Sequence, residues 1–442
     1  PILLYAQVID TIICLPDIPL NIIYIPNGNE LYINCYRENR FFLLDCTTYH
    51  IKKVIPNGGG GSYYPHDAYG TWNWRRDKIY FTFNPTPDSI AVIDNQTDSI
   101  IKWINFGSVF QPNSLCYNSR DDIVYVAGGM SVAVINCEND SIIKIIQPQP
   151  NYLSHFAIWD SIGNKVYCGS SGDDKVTVID CSSDSVIKVI STGLSSPWSA
   201  IYNSQRRKLY TGGEWGIGCA VIDAVRDTIV KYHNITYNFE ILPIFNSSED
   251  KVYWPGDSLY VIDCQNDSII KYFGYIISNL GFSSWSNHLY ITRDTWVGHH
   301  QGFLTVLDCH NDSLIANLEI GPGAIGITNN TQYQRTYIAT EYDSSIYVIR
   351  DDVPKIDECT VLEAERTILE FYPNPVKNVI CIRGLLSEKF IKIFDVSGKL
   401  IKVVNKVTSA NKQEVRISLK SINPGIYFIE IGEKLKKFIV TK

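Results

Sequence analysis

Three side chains in this sequence could hold a metal or move a proton, namely His66, His155 and Glu240. Two histidines and a carboxylate form a zinc ligand set, and equally a general acid with a base. A second group, Trp296, His299 and His300, lies in the stretch Thr-Trp-Val-Gly-His-His-Gln-Gly. Asn113, Trp198 and Trp215 add an amide and flat aromatic faces of the kind that line ligand pockets. Zinc ligands must converge within about 2.0–2.2 Å of one ion. His66, His155 and Glu240 fall in three separated repeats, and the His299–His300 pair reads as an exposed loop, so no shared metal site is expected. The recurrent Asp-x-x-x-Asp, as in Asp263 and Asp267, lacks the alternating oxygens and glycine of a calcium loop and reads as turn chemistry. GxSxG, phosphate-loop, HExxH and helix-capping GxGxxG patterns are missing, and Gly58–Gly61 precedes a strand. The expectation is therefore a binding funnel without catalytic residues or cofactor, drawn from His66, Asn113, His155, Trp198, Trp215, Glu240, Trp296, His299 and His300.

The elements that must position these residues come from a repeat. An apolar-Tyr pair, a loop, an alternating run ending in Val-Ile-Asp and then Asp-Ser-Ile-Ile-Lys returns along the chain, as in residues 166–190 and 252–273. Its tyrosines are Tyr32, Tyr80, Tyr125, Tyr167, Tyr210, Tyr253, Tyr290 and Tyr337, spaced 37–48 residues apart. That period suits a four-stranded propeller blade, and the short β-branched and aromatic runs with period two are strands. Each unit reads as strands A to D, with the tyrosine on B and Val-Ile-Asp ending C. The last unit lacks a D strand, and residues 6–13 at the chain's beginning resemble one. The fold class read here is all-β: an eight-bladed propeller, seven blades being the alternative, followed by a small Ig-like β-sandwich. The ring where the A strands begin is placed about twelve residues before each tyrosine, at Leu20, His66, Asn113, His155, Trp198, Glu240, Ser278 and Ile325.

Net charge is −7, but from Val353 onward 16 basic residues face 10 acidic ones, leaving 23 against 36 in the body. An acidic body is a poor match for nucleic acid. No run approaches the roughly 18 apolar residues that span a bilayer, so no transmembrane segment is expected. Five of the twelve cysteines, Cys46, Cys137, Cys181, Cys264 and Cys309, share one repeat position. They would lie in different sheets, too far apart for the ~5.5 Å Cα separation of a disulfide, and read as buried free thiols. The start at Pro1 reads as the product of signal removal.

Residues 351–366 break the repeat with charge and proline, so the reading is a propeller over 1–352, a linker over 353–366 and a terminal domain over 367–442. The terminal domain contains Tyr372-Pro373-Asn374-Pro375, a hairpin over 390–404 with Asp395 and Gly398 at its turn, Pro424-Gly425-Ile426-Tyr427, and a finish at Lys436-Lys437-Phe438-Ile439-Val440.

Two resemblances follow from these residues. The Tyr…Val-Ile-Asp…Asp-Ser-Ile-Ile-Lys phrase resembles YVTN-type, YncE-like propeller repeats, over about 350 residues; Tyr49, Asn136 and Arg350 depart from it. The ordered tail motifs resemble the type A C-terminal sorting domain of the type IX secretion system. That likeness implies Sec export, passage across the outer membrane by the type IX machinery, and a sortase that attaches cargo at the surface, with Tyr372, Pro373, Asn374, Pro375, Asp395, Gly398, Gly425, Tyr427 and Lys437 as motif residues. The implied protein is secreted or surface-attached and binds a protein, glycan or small ligand at its funnel. The alternatives are a propeller enzyme of lactonase, lyase or quinoprotein type, or a structural envelope component.

Overall fold

In the computed structural model the described residues are 5–35, 40–56, 70–83, 89–107, 110–147, 154–170, 173–213, 218–235, 241–274, 277–295, 301–354, 370–372, 376–383, 390–395, 399–405, 414–431 and 434–441. The chain forms two compact units, Pro1–Lys355 and Ile356–Lys442.

The first unit contains eight four-stranded antiparallel sheets. Seven are consecutive A-B-C-D meanders; blade 4, for instance, comprises Ser154–Asp160, Lys165–Ser170, Lys175–Asp180 and Ser185–Ser191. The eighth takes its first three strands, Ala324–Asn330, Arg335–Thr340 and Ser345–Pro354, from the end of the unit. Its fourth is the N-terminal strand Tyr5–Cys14, which pairs with Ser345–Pro354 from Tyr5↔Pro354 to Cys14↔Ser345. The A strands lie side by side around a common axis. Among the described residues the apolar core divides into eight clusters, each shared by two neighbouring blades. B and C strands are buried on both faces because a blade lies against each side of them, whereas the outer D strands expose most residues. This is the architecture of an eight-bladed β-propeller.

The repeated phrase is the chemistry of the seam between blades. All eight repeat tyrosines are fully buried, and a buried hydroxyl needs a partner. Seven donate to an aspartate of the following blade, among them Tyr80 to Asp140 at 2.6 Å, Tyr210 to Asp267 at 2.6 Å and Tyr253 to Asp312 at 2.7 Å. Tyr32, Tyr125, Tyr167 and Tyr290 meet Asp98, Asp184, Asp227 and Asp351. The Asp-Ser-Ile aspartates sit at φ 47–55°, a left-handed conformation that Asp tolerates better than most residues. The aspartate that ends strand C does the local work: its carboxylate accepts turn N–H groups, as at Asp180 from Ser183 and Asp263 from Gln265. The motif lysine of each D strand donates to a C–D turn carbonyl of the next blade, as Lys102 to Asn139 at 2.8 Å and Lys188 to Arg226 at 3.1 Å. In blade 7 this position is Ala316, and its neighbour, closed by the N-terminal strand, has no C–D turn to receive a lysine.

The departures Tyr49 and Arg350 belong to ring closure. Both converge with Arg335 on Asp10 of the closing strand, at 3.3 Å for Tyr49, 3.7 Å for Arg350 and 3.0 Å for Arg335. Because Tyr49 stands where other blades offer aspartate, Tyr337 lacks the carboxylate partner the other seven have.

The second unit contains a three-stranded sheet (Glu370–Tyr372, Val379–Arg383, Glu414–Ser418) and a four-stranded one (Phe390–Asp395, Leu400–Asn405, Gly425–Ile431, Lys434–Val440). Both sheets contribute to one core that includes Ile380, Ile382, Ile393, Ile417, Ile429 and Phe438.

Candidate functional site

A strands border an open cavity of about 530 Å³ lined from blades 1, 2, 5, 6, 7 and 8. The size is that of a small-ligand pocket. Aliphatic side chains such as Ile23, Ile201 and Ile327 alternate with the amides of Asn21, Asn279 and Asn329. None of the described lining residues is ionisable. The Asn279 amide is held to the Ile325 carbonyl at 2.9 Å, and the Asn329 amide donates to the Thr336 hydroxyl at 2.7 Å.

The described ring residues stand where the A strands begin. Asn113, His155 and Trp198 are each the second residue of their strand, in blades 3, 4 and 5. His155 and Trp198 stack, with ring centroids 3.7 Å apart and planes inclined by 26°. Burial lowers the His155 pKa to about 4, so the imidazole is neutral at pH 7. Ser278 immediately precedes its strand and donates to Asp294 at 2.9 Å, while Leu20 is buried and Ile325 half-buried. His66, Trp215, Glu240, Trp296, His299 and His300 lie outside the described residues; of the described members of the expected funnel, His155 and Trp198 are in contact and Asn113 holds the same position in the neighbouring blade. Among the described residues no group of three or more His, Cys, Asp or Glu side chains is arranged to hold a metal ion.

Apart from Ile325, which the sequence reading placed in the ring and which lines the cavity, the axial Asn and Ile residues were missed by the sequence reading. They fall on half-buried alternating strands that any blade could contain, and only ring geometry shows which of them face the axis. The five repeat cysteines are free and buried, with thiol pKa values raised to about 11–12 chiefly by burial. Each backbone N–H there donates to an A–B turn carbonyl, as Cys181 to Asn164 at 3.0 Å and Cys309 to Asn287 at 3.0 Å, which places a small side chain in a tight corner.

In the second unit Asp395 closes its hairpin by accepting the Lys399 N–H at 3.0 Å. Gly425 opens the strand that carries Tyr427, whose hydroxyl donates to the Asn423 carbonyl at 2.9 Å and whose ring packs on Phe438. Lys437 is exposed and pairs across the sheet with Phe428. Tyr372 ends the first strand of the unit, whereas Pro373, Asn374, Pro375 and Gly398 lie outside the described residues. Val376, next after the Pro-Asn-Pro segment, is buried and bonds the final strand through Val376 N–H to Ile439 and Thr441 N–H to Val376, each at 2.8 Å. The beginning of the motif set is thus tied to its end.

Among the described residues no helix is long and apolar enough to cross a membrane. No curated protein matches the chain. Among solved structures, the crystal structure of the computationally designed Ika8 protein is similar, at 11% identity over 76% of this chain and 96% of that one, with a TM-score of 0.58. At that identity the likeness concerns the fold alone. Residues 370–442 match the secretion system C-terminal sorting domain family. The C-terminal unit is therefore a type IX secretion sorting domain, and the protein is exported across the envelope by the machinery that recognises it, to be secreted or held at the cell surface.

Proposed function

We propose that the propeller is the noncatalytic, ligand-binding cargo of this exported protein, of the YVTN/YncE-like kind, and that it grips a protein, glycan or small ligand along its axis. The supporting observation is the axial cavity, a pocket of ligand size whose described lining residues are apolar or amide-bearing for the most part and carry no ionisable side chain. Such a lining is suited to binding and orienting a ligand. The C-terminal unit, read as an Ig-like sandwich, supplies delivery: it is recognised by the secretion machinery and by a sortase that exchanges it for a surface anchor.

Glycan and peptide arrays probed with the full chain test this reading. Retention of one ligand class is expected, and Ile201→Trp, which fills the cavity, should abolish it. Turnover of a substrate, or stoichiometric metal lost on His66→Ala or His155→Ala, would show an enzyme instead.

A further inference from the structure

The C-terminal unit has two sheets, and their residue patterns differ in kind. In the three-stranded sheet Ile380 lies opposite Ile417 and Ile382 opposite Val415. The alternate pairs are Val379 with Ser418, Cys381 with Arg416, and Arg383 with Glu414, and each contains a polar residue. That alternation is the ordinary pattern of a sheet with one side in a core and the other in water. The four-stranded sheet lacks it. Ile391, Ile393, Tyr427, Ile429 and Phe438 fill its core side. On the alternate side Leu400, Phe394 and Phe428 are opposed across three strands, and Ile426 lies opposite Ile439 on the fourth. Val403 extends the same side beside them. Directly opposed residues share a face, so these six form one apolar surface across all four strands. Leu400, Val403, Ile426 and Ile439 are 37–47% exposed, and the two phenylalanines are half-buried.

The propeller's outer strands also expose aliphatic residues, but one strand at a time and beside a lysine, as Ile143 and Ile145 flank Lys144. A continuous apolar surface on a small domain marks an interaction site. The edges of this sheet are less suited to one. At one edge the Val376 N–H donates to the Ile439 carbonyl of the final strand at 2.8 Å. The other edge strand, Leu400–Asn405, pairs through a bulge, and its Lys402 reaches the Ser418 carbonyl at 2.7 Å. Bulges and inward-turned charges deter the addition of a further strand.

We infer that this apolar face is the surface by which the type IX machinery takes hold of the unit. The inference rests on the delivery role given to the unit above, through its match to the sorting domain family over residues 370–442. Recognition by another molecule needs a surface that core and edges do not consume, and this face is one. From Val353 onward 16 basic residues face 10 acidic ones. The partner it fits is therefore apolar at its centre and acidic around it. A broad flat face suits a folded partner better than an extended peptide, which docks by pairing with an edge.

The full-length protein carrying Val403→Glu with Ile426→Glu tests the inference, followed by fractionation and immunoblotting in the cells that export it. The double variant should reach the surface at least about tenfold less than wild type and collect in the periplasm, because its carboxylates would be desolvated against an apolar partner. Val379→Glu, on the other sheet, should export normally. Limited proteolysis of the purified full-length protein, probed for an intact C-terminal unit, checks folding. Should the glutamate pair fail that check, Val403→Thr with Ile426→Thr, which suits strands, decides, with a reduced surface fraction expected. Wild-type display of the folded double variant overturns the inference; the delivery role survives if deletion of 367–442 still strands the propeller, and falls if it does not. Equal loss of display in Val379→Glu overturns the choice of face. Self-association of the wild type that the double variant loses, with export unchanged, assigns the face to a second copy and overturns the inference as well.

Discussion

Replacing Asp267 by alanine should destabilise the propeller by about 3–5 kcal/mol, because one carboxylate serves two partners across the seam between blades 5 and 6. It accepts the buried Tyr210 hydroxyl at 2.6 Å and the Lys208 ammonium, itself mostly buried, at 2.6 Å. Removing one partner of a buried ion pair strands the other charge and costs about 3–5 kcal/mol. A stranded hydroxyl costs about 1–3 kcal/mol, and alanine also fits poorly at φ 55°. These losses overlap because they share one site, so the ion-pair range is taken as the total. Tyr210→Phe removes one hydrogen bond to a charged acceptor and leaves the Lys208 pair, so about 1.5–3 kcal/mol is expected. Since the residues are in contact, the double variant should cost at least about 1 kcal/mol less than the sum of the two. All nine tryptophans lie between Trp72 and Trp296, so urea unfolding followed by tryptophan fluorescence reports the propeller alone in the full-length chain. A loss below about 1 kcal/mol for Asp267→Ala, or strict additivity in the double variant, would refute the view that the repeat encodes its seams.

Three further expectations follow from particular groups. His288 is buried, its Nδ1 lies 2.9 Å from the Gln7 amide of the closing strand, and burial lowers its pKa to about 4 against the partial opposition of Asp308. The unfolded chain therefore takes up that proton first, near pH 6.5, and stability should fall between about pH 6.5 and 4, by up to about 3 kcal/mol from this residue; His288→Asn should flatten that part of the profile in urea titrations at a series of pH values. Iodoacetamide at pH 8 followed by peptide mapping should label exposed Cys14 in the native protein while Cys46, Cys137, Cys181, Cys264 and Cys309, buried with raised thiol pKa values, stay unmodified until denaturant is added. Deleting residues 367–442 should strand the propeller in the periplasm by cell fractionation, and normal surface display of that deletion would count against delivery by the sorting domain.

Much of the architecture was legible along the chain because a repeat writes the same packing problem many times. The tyrosine spacing marked the units, the incomplete last unit pointed to the N-terminal strand, and the tail motifs pointed to the sorting domain. The meaning of individual letters was less accessible. Asp267 read as a hairpin residue, yet its carboxylate belongs to the next blade, and Asp263 closes the hairpin. Tyr49 and Arg350 read as scattered departures, although they lie about 300 residues apart and meet on Asp10.

The repeat, its strand order, its ring closure by residues 6–13 and the export address could be read along the chain, since each depends on local pattern or on motif order. Which residues face the axis and which seam partners pair emerged from the assembled blades alone. Those outcomes depend on the register of neighbouring strands and on how the blades close into a ring. A shift of one residue reverses a side chain's face, and no single segment of the chain contains that information.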